Sequence, residues 1–158
     1  MPPAPKVTDK AKPLGLPART ISKVGIIGAG QMGNGIAHVI ALSGYDVAIN
    51  DLKREAYDKA IATIDKNLAR QVAKGLISEA DKDKALARIS YAPTMDAFKD
   101  CDLVIEAATE DEDLKHKIFA SLGPYLKPTA ILASNTSSIS ITRLAATTDR
   151  PEDFIGMH

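Results

Sequence analysis

The stretch that decides the fold is residues 24–35, V-G-I-I-G-A-G-Q-M-G-N-G. Val24–Ile27 is short, apolar and rich in β-branched residues, which predicts a buried strand. Gly28, Gly30 and Gly33 follow at G-x-G-x-x-G spacing. The first glycine permits a tight turn, the second lets a pyrophosphate approach the backbone, and the third lets the next helix pack close to the sheet. The start of that helix offers free N–H groups and a positive dipole end to phosphate. A second apolar run, Asp46–Asn50, leads to Asp51. A carboxylate there can accept hydrogen bonds from an adenosine ribose and would repel a 2′-phosphate. The pattern predicts a dinucleotide site that prefers NAD to NADP, although Lys53 and Arg54 could tolerate a phosphate. A second use for Asp51 is as N-cap of the helix that follows.

Composition bounds what surrounds this motif. The 158 residues fit one domain with a tail, and 45% hydrophobic content is enough for an ordinary core. Twenty basic residues balance twenty acidic ones, and no basic stripe points to nucleic acid or an anionic membrane. The apolar runs are too short to span a bilayer, and the N-terminal stretch lacks the apolar centre of a secretory signal. Cys101 stands alone, so neither an internal disulfide nor a cysteine-cluster metal site is expected. Cys101 reads as a small core residue, and no metal site is predicted. Together these features lead us to expect a soluble, cytoplasmic protein.

Outward from the motif, helices and strands alternate. Residues 1–20, rich in proline and lysine, read as a disordered tail, and residues 21–158 as the folded domain. Strands are expected at 23–27, 46–50, 89–92, 102–107, 129–134 and 154–157. Helices are expected at 31–43, 54–74, 78–88, 95–99, 112–123 and 138–146. In the first helix, Met32, Ile36, Val39 and Ile40 form the predicted buried face, with Gly44 as its left-handed stop. In the second, the stripe is Ile61, Ile64, Leu68 and Val72. Residues 54–88 read as a helical hairpin, with Ser78 capping its second arm. Leu114, Ile118 and Leu122 are expected to be in register in the helix over 112–123. Continuous apolar strands alternating with helices predict an α/β fold: a Rossmann-type, doubly wound parallel sheet with a helical hairpin insertion. Ligands bind such sheets at the carboxyl ends of the strands. Asp51, Glu106, Glu110, Ser134, Asn135, Ser137 and His158 should therefore converge on one crevice.

Three segments together resemble one family. They are G-A-G-Q-M-G-N-G-I-A, I-E-A-A-T-E-D-E-D-L-K, and S-N-T-S-S-I-S-I-T-R-L running on to F-I-G-M-H. Over residues 21–158 the chain is similar to the NAD-binding domain of the L-3-hydroxyacyl-CoA dehydrogenases, and most of all to the bacterial 3-hydroxybutyryl-CoA group. The resemblance implies NAD(H)-dependent interconversion of a short-chain L-3-hydroxyacyl-CoA and its 3-oxoacyl-CoA, in fatty acid or butanoate metabolism. It implies that His158 is the acid/base at the 3-hydroxyl, a task that suits an imidazole titrating near neutrality. It implies that Ser137 contacts the substrate oxygen beside the nicotinamide. Glu110 and Lys115 become a pair near the nicotinamide and its ribose, and Lys74 and Asn67 become contacts to CoA. Some members carry a serine where this chain has Asn67. Gly28, Gly30, Gln31, Met32, Gly33, Asp51 and Ala107 complete the expected cofactor set.

Plainer readings stand beside these. Ser137 could cap the helix expected from Ser138, Glu110 could be a dipole partner at the start of its helix, and Lys74 and Lys115 could be solvated surface lysines. His38 and His116 have no acidic partner at metal-ligand spacing and receive no role. Other dehydrogenases with a G-x-G-x-M-G loop, acting on hydroxyisobutyrate or 6-phosphogluconate, lack the S-N-T-S…G-M-H pairing. Members of the resembled family continue past the histidine into F-x-N-P and a helical domain. That domain supplies the acid orienting the histidine, an asparagine near substrate and most of a homodimer interface. Because this sequence stops at His158, the expectation is NAD binding with weak or no turnover, and association through exposed apolar surface. The alternative is a non-catalytic binding module, comparable to the crystallins that resemble the same family.

Overall fold

The six strands lie where the apolar runs predict them, all parallel, in the order β3-β2-β1-β4-β5-β6. The computed structural model describes residues 19–158; the first eighteen residues of the predicted tail lie outside the described residues. In chain order the elements are β1 (Lys23–Ile27), α1 (Gln31–Leu42), β2 (Asp46–Asn50), α2 (Arg54–Ala73), α3 (Glu79–Ala87) and β3 (Ile89–Tyr91). A 3₁₀ turn at Met95–Phe98 leads to β4 (Leu103–Glu106), α4 (Glu112–Leu122), β5 (Ile131–Ser134), α5 (Ile141–Ala146) and β6 (Phe154–Gly156). Each strand is apolar on both faces because each face is covered. Val24, Ile26, Val47 and Ile49 face α1, α2 and α3. Ile27, Ala48, Val104 and Leu132 face the opposite layer, which contains α4 and α5. This period-2 division of the strand residues makes the sheet doubly wound.

Local chemistry sets the ends. Gly44 and Gly75 take positive φ, +102° and +71°, and end α1 and α2. Ser78 caps α3 with a reciprocal capping box: its hydroxyl accepts from the Asp81 N–H, and the Asp81 carboxylate accepts from the Ser78 N–H. Gly25, at the centre of β1, leaves room for the Phe98 ring; a Cβ there would meet its edge at 2.6 Å. Cys101 is fully buried beside it, and burial pushes its thiol pKa up to about 11. That is the core role expected of it.

The amino-terminal end of the central strands β1 and β4 is clamped by Asp102. Its carboxylate accepts from the N–H of Ser22 (2.7 Å) and of Lys23 (3.0 Å), and pairs with Lys127. Lys127, and then these two N–H groups, hold its pKa down to about 2. Between its ordinary value near 3.8 and about pH 2 the unfolded chain binds more protons than the folded one. The stabilisation is present above the ordinary value and is lost as pH falls through about 2. Asp102→Asn is expected to lower stability at pH 7 by about 1–2 kcal/mol and to flatten the stability profile below about pH 4. Urea denaturation across pH checks both.

Four local expectations are corrected. In α1 the buried face is Gly33, Ala37 and Ala41, with Ile36 and Ile40 packing at its margin. Met32 and Val39 are exposed instead, because the close approach permitted by Gly33 turns the small residues to the sheet. Leu114 is also exposed, and Phe119 joins Leu122 in the core. The expected helix over 138–146 begins only at Ile141, because Ser140 caps it by accepting from the Arg143 N–H. Arg19, placed in the tail by the sequence, pairs with Asp153 at 2.7 Å.

Candidate active site

The strand register brings the site together. Asn50, Ile27, Glu106, Ser134 and Gly156 form one row across five neighbouring strands. Every polar residue expected in the crevice either belongs to that row or lies a few positions beyond it, at the carboxyl ends. Strand order reverses between β1 and β4, because β1 continues to β2 on one side and the chain returns as β4 on the other. Such a switch point opens a crevice between the two flanking loops.

The glycine loop occupies that point. Gly28 takes φ +104°, and its N–H donates to the Asn50 carbonyl at 2.8 Å. A Cβ there would lie 2.8 Å from Ala107 O, so the loop passes directly against the end of β4. Gly30 has open space where a side chain would be, and it caps α1 without a side-chain bond. The first turn of α1, which contains Gln31, Met32 and Gly33, carries no acidic residue. This start of α1 is therefore a cradle for an anion, and its first turn carries no carboxylate of its own to compete with a phosphate.

A cleft of about 370 Å³ lies beside the loop. Gly28, Gly30, Asp51 and Ala107 line it, and Met95, Leu114 and Ile118 form an apolar wall. The exposed Leu114 thus finds its use as a wall of the cleft. No cap role falls to Asp51, because Lys53 occupies the N-cap of α2. Its carboxylate accepts from the Ala29 N–H at 3.0 Å and the Lys53 N–H at 3.2 Å. It therefore braces the glycine loop at the cleft edge where a ribose would sit. Arg54 turns away: it lies over Tyr91 (4.7 Å to the ring centre) and Tyr57 (5.3 Å) and bonds Asp58 at 3.2 Å. A dinucleotide would fit this arrangement with its adenosine half at β2 and its second half over β4 and β5. Asp51→Ser is expected to weaken NADH binding by about tenfold and to narrow its preference over NADPH, read by paired fluorescence titrations.

At the other half, two loops meet. Glu110 accepts from the hydroxyls of Thr136 (2.9 Å) and Ser138 (3.2 Å). That ties the loop after β4 to the loop after β5, which carries Asn135 and Ser137. Ser137 is exposed on this loop and does not cap α5. β6 pairs Gly156 with Ser134, and the Met157 N–H donates to the Ser134 carbonyl at 3.1 Å. This carries the exposed His158 past the same end of the sheet. Lys115 is fully buried and pairs with Glu106 and with Ser134, so the solvated-lysine reading fails. No signal in the sequence marked Glu106 as its partner, since the two lie on different elements.

Asn67 and Lys74 are not brought to the crevice. α2 is twenty residues long, about 30 Å, which puts Asn67 about 20 Å along it and Lys74 at its far end. Beside them His38 Nε2 and Gln71 Oε1 lie 2.9 Å apart, holding this part of α2 to α1. Among the described residues no group of His, Cys, Asp and Glu could hold a metal ion. Nor is any helix there long and apolar enough to cross a membrane.

Comparison with known proteins agrees with this geometry. The family profile described as "3-hydroxyacyl-CoA dehydrogenase, NAD binding domain" matches residues 23–158. A 3-hydroxybutyryl-CoA dehydrogenase of Bradyrhizobium diazoefficiens is 61% identical over 141 residues, 89% of this chain and 48% of the relative. The crystal structure of an (S)-3-hydroxybutyryl-CoA dehydrogenase from Ralstonia eutropha superposes with a TM-score of 0.85 at 50% identity, covering 88% of this chain and 49% of that one. The enzyme of that name from Escherichia coli gives 0.86 at 38% identity, covering 89% and 30%. The chain spans about half the length of the curated relatives it matches. These relatives are dehydrogenases, which supports the oxidoreductase reading over the non-catalytic module. With its glycine loop and a cleft at the switch point of the sheet, the chain belongs to the family of 3-hydroxyacyl-CoA dehydrogenase NAD-binding domains.

Proposed function

We propose that this chain is the cofactor-binding half of an NAD-dependent 3-hydroxybutyryl-CoA dehydrogenase. The proposal is supported by the loops after β4 and β5 and the end of β6, which carry Glu110, Ser137 and His158 and leave the same end of the sheet as the glycine loop, in a chain 61% identical to a protein of that name. When bound, NAD takes up or gives back the hydride at C3 of the thioester substrate. His158 removes the proton from the 3-hydroxyl in one direction and returns it to the forming alkoxide in the other. The Ser137 hydroxyl holds the same oxygen in line. Glu110 fixes the loop that presents Ser137. Asn67 and Lys74 on α2 are assigned to CoA on the family resemblance. A homodimeric full-length assembly and a cytoplasmic setting, consistent with one buried cysteine, belong to the same proposal.

The test is NADH oxidation with acetoacetyl-CoA, against free acetoacetate as control. It is run on the 158-residue chain and on a fusion of that chain to the second half of the Bradyrhizobium relative. The expected result is thioester-dependent turnover in the fusion that His158→Asn abolishes. A folded fusion that binds NADH but oxidises none, or one that prefers the free acid, overturns the proposal.

A further inference from the structure

Two cations follow Asp51 in the chain, and the fold treats them differently. Lys53 is exposed, whereas Arg54, the first residue of α2, is tied back. Its guanidinium carbon lies 4.7 Å from the centre of the Tyr91 ring and 5.3 Å from that of Tyr57. The two rings are themselves 5.0 Å apart, inclined at 45°. Arg54 Nε donates to Asp58 Oδ1 at 3.2 Å, one turn along the same helix. The Tyr91 hydroxyl donates to the Asp51 carbonyl at 3.3 Å, so the aromatic perch starts at the cleft edge itself. The Arg54 side chain is 60% exposed, so these partners hold it and the core does not wall it in. Three residues span at most about 11 Å of backbone. A released arginine can therefore reach a group placed at Asp51. A guanidinium is also the side chain whose paired N–H groups best match a phosphate, and an arginine near this position is what accommodates the 2′-phosphate of NADP.

We propose that Tyr57, Tyr91 and Asp58 are specificity-determining residues: they hold Arg54 away from the ribose edge and so withhold the side chain that would receive an adenosine 2′-phosphate. Asp51 repels that phosphate, and the aromatic pair removes its best partner. Each contact on Arg54 is weak in solvent, but all of them act on one side chain. The role given to these residues rests on the NAD reading above.

The experiment titrates NADH and NADPH by fluorescence into the 158-residue chain and its variants, and reads the ratio of the two affinities. Asp51→Ser is the background, because it lifts the repulsion. There Asp58→Ala is expected to raise the ratio in favour of NADPH about threefold, and Asp58→Ala with Tyr91→Leu about tenfold. Adding Arg54→Ala is expected to erase both gains. A ratio that does not rise overturns the proposal. A rise that survives Arg54→Ala overturns it too, since the phosphate would then be answering to Lys53 or to the lost charge of Asp58. In the otherwise unmodified chain, Arg54→Ala is expected to leave NADH affinity within about twofold. A larger loss means that Arg54 touches NAD and is decisive against its being withheld. Asp58→Ala changes an exposed side chain, so the test stands on it alone should the Tyr91 variant fail to fold. Failure of the unmodified chain to bind NADH would remove the cofactor reading and this proposal with it, a result distinct from bound NADH with an unmoved ratio.

Discussion

Gly33→Ala is expected to cripple both the fold and the cofactor site, at a cost of about 3 kcal/mol or more in stability. The added Cβ would lie 1.8 Å from the Gly28 carbonyl oxygen and 2.8 Å from its carbon. Both are backbone atoms, so no rotamer change relieves the clash. Gly28 cannot retreat, because its own missing side chain already brings it against the Ala107–Ala108 backbone, and its N–H is committed to Asn50. The helix must move instead. Moving it lifts Ala37 and Ala41 from β1 and turns the N–H groups of the first turn away from the phosphate position. NADH affinity is expected to fall about 100-fold or more, measured by fluorescence titration alongside urea denaturation. Gly35→Ala is the matched control. It has open space around it in the same helix, and is expected to be neutral or to stabilise by up to about 1 kcal/mol.

Lys115→Met is expected to be the most destabilising change away from the glycine loop, costing about 3–5 kcal/mol because it strands a buried carboxylate. In a domain of this size that lowers the melting temperature by roughly 10 °C or more. The cost should not be mistaken for the worth of the ion pair. Bringing both charges out of water offsets most of their attraction, and a well-matched neutral pair of similar volume is often as stable. Glu106→Gln with Lys115→Met is therefore expected to melt within a few degrees of the unmodified chain. Thermal melts followed by circular dichroism separate the two outcomes. A double variant as unstable as the single would mean that the charges themselves hold the sheet ends together.

Sequence pattern carried the sheet and its cofactor loop because those signals are local. Val24–Ile27, the three glycines and Asp51 fall within one βαβ unit, where spacing fixes geometry. The capping box at Ser78 and the stops at Gly44 and Gly75 are legible for the same reason. What was not legible depends on partners distant in sequence. The face of α1 turned on how closely Gly33 lets the helix approach, so alanines are buried where larger residues were expected. Leu114 reads as core by helical spacing, but the cleft claims it. Lys115 could be told from a solvated lysine only once β4 and β5 had placed Glu106 and Ser134 beside it. Ser137 looked like a helix cap until Ser140 took that part. Family resemblance pointed to Ser137, Glu110 and His158 by their motifs, and the shared register row of β4, β5 and β6 puts the segments that carry them at one end of the sheet.

The Phe98 ring lodged against Gly25 has a consequence for how this sequence can drift. The two residues occupy a single volume, one lending the space that the other fills. A methyl group at 25 is admissible only where residue 98 has given up its ring edge, and a smaller residue at 98 opens a void unless 25 grows. Neither position is free to change first without a transient loss of stability. Across relatives the pair should therefore covary as a unit, linking the centre of the first strand to a turn far along the chain, with no polar contact between them.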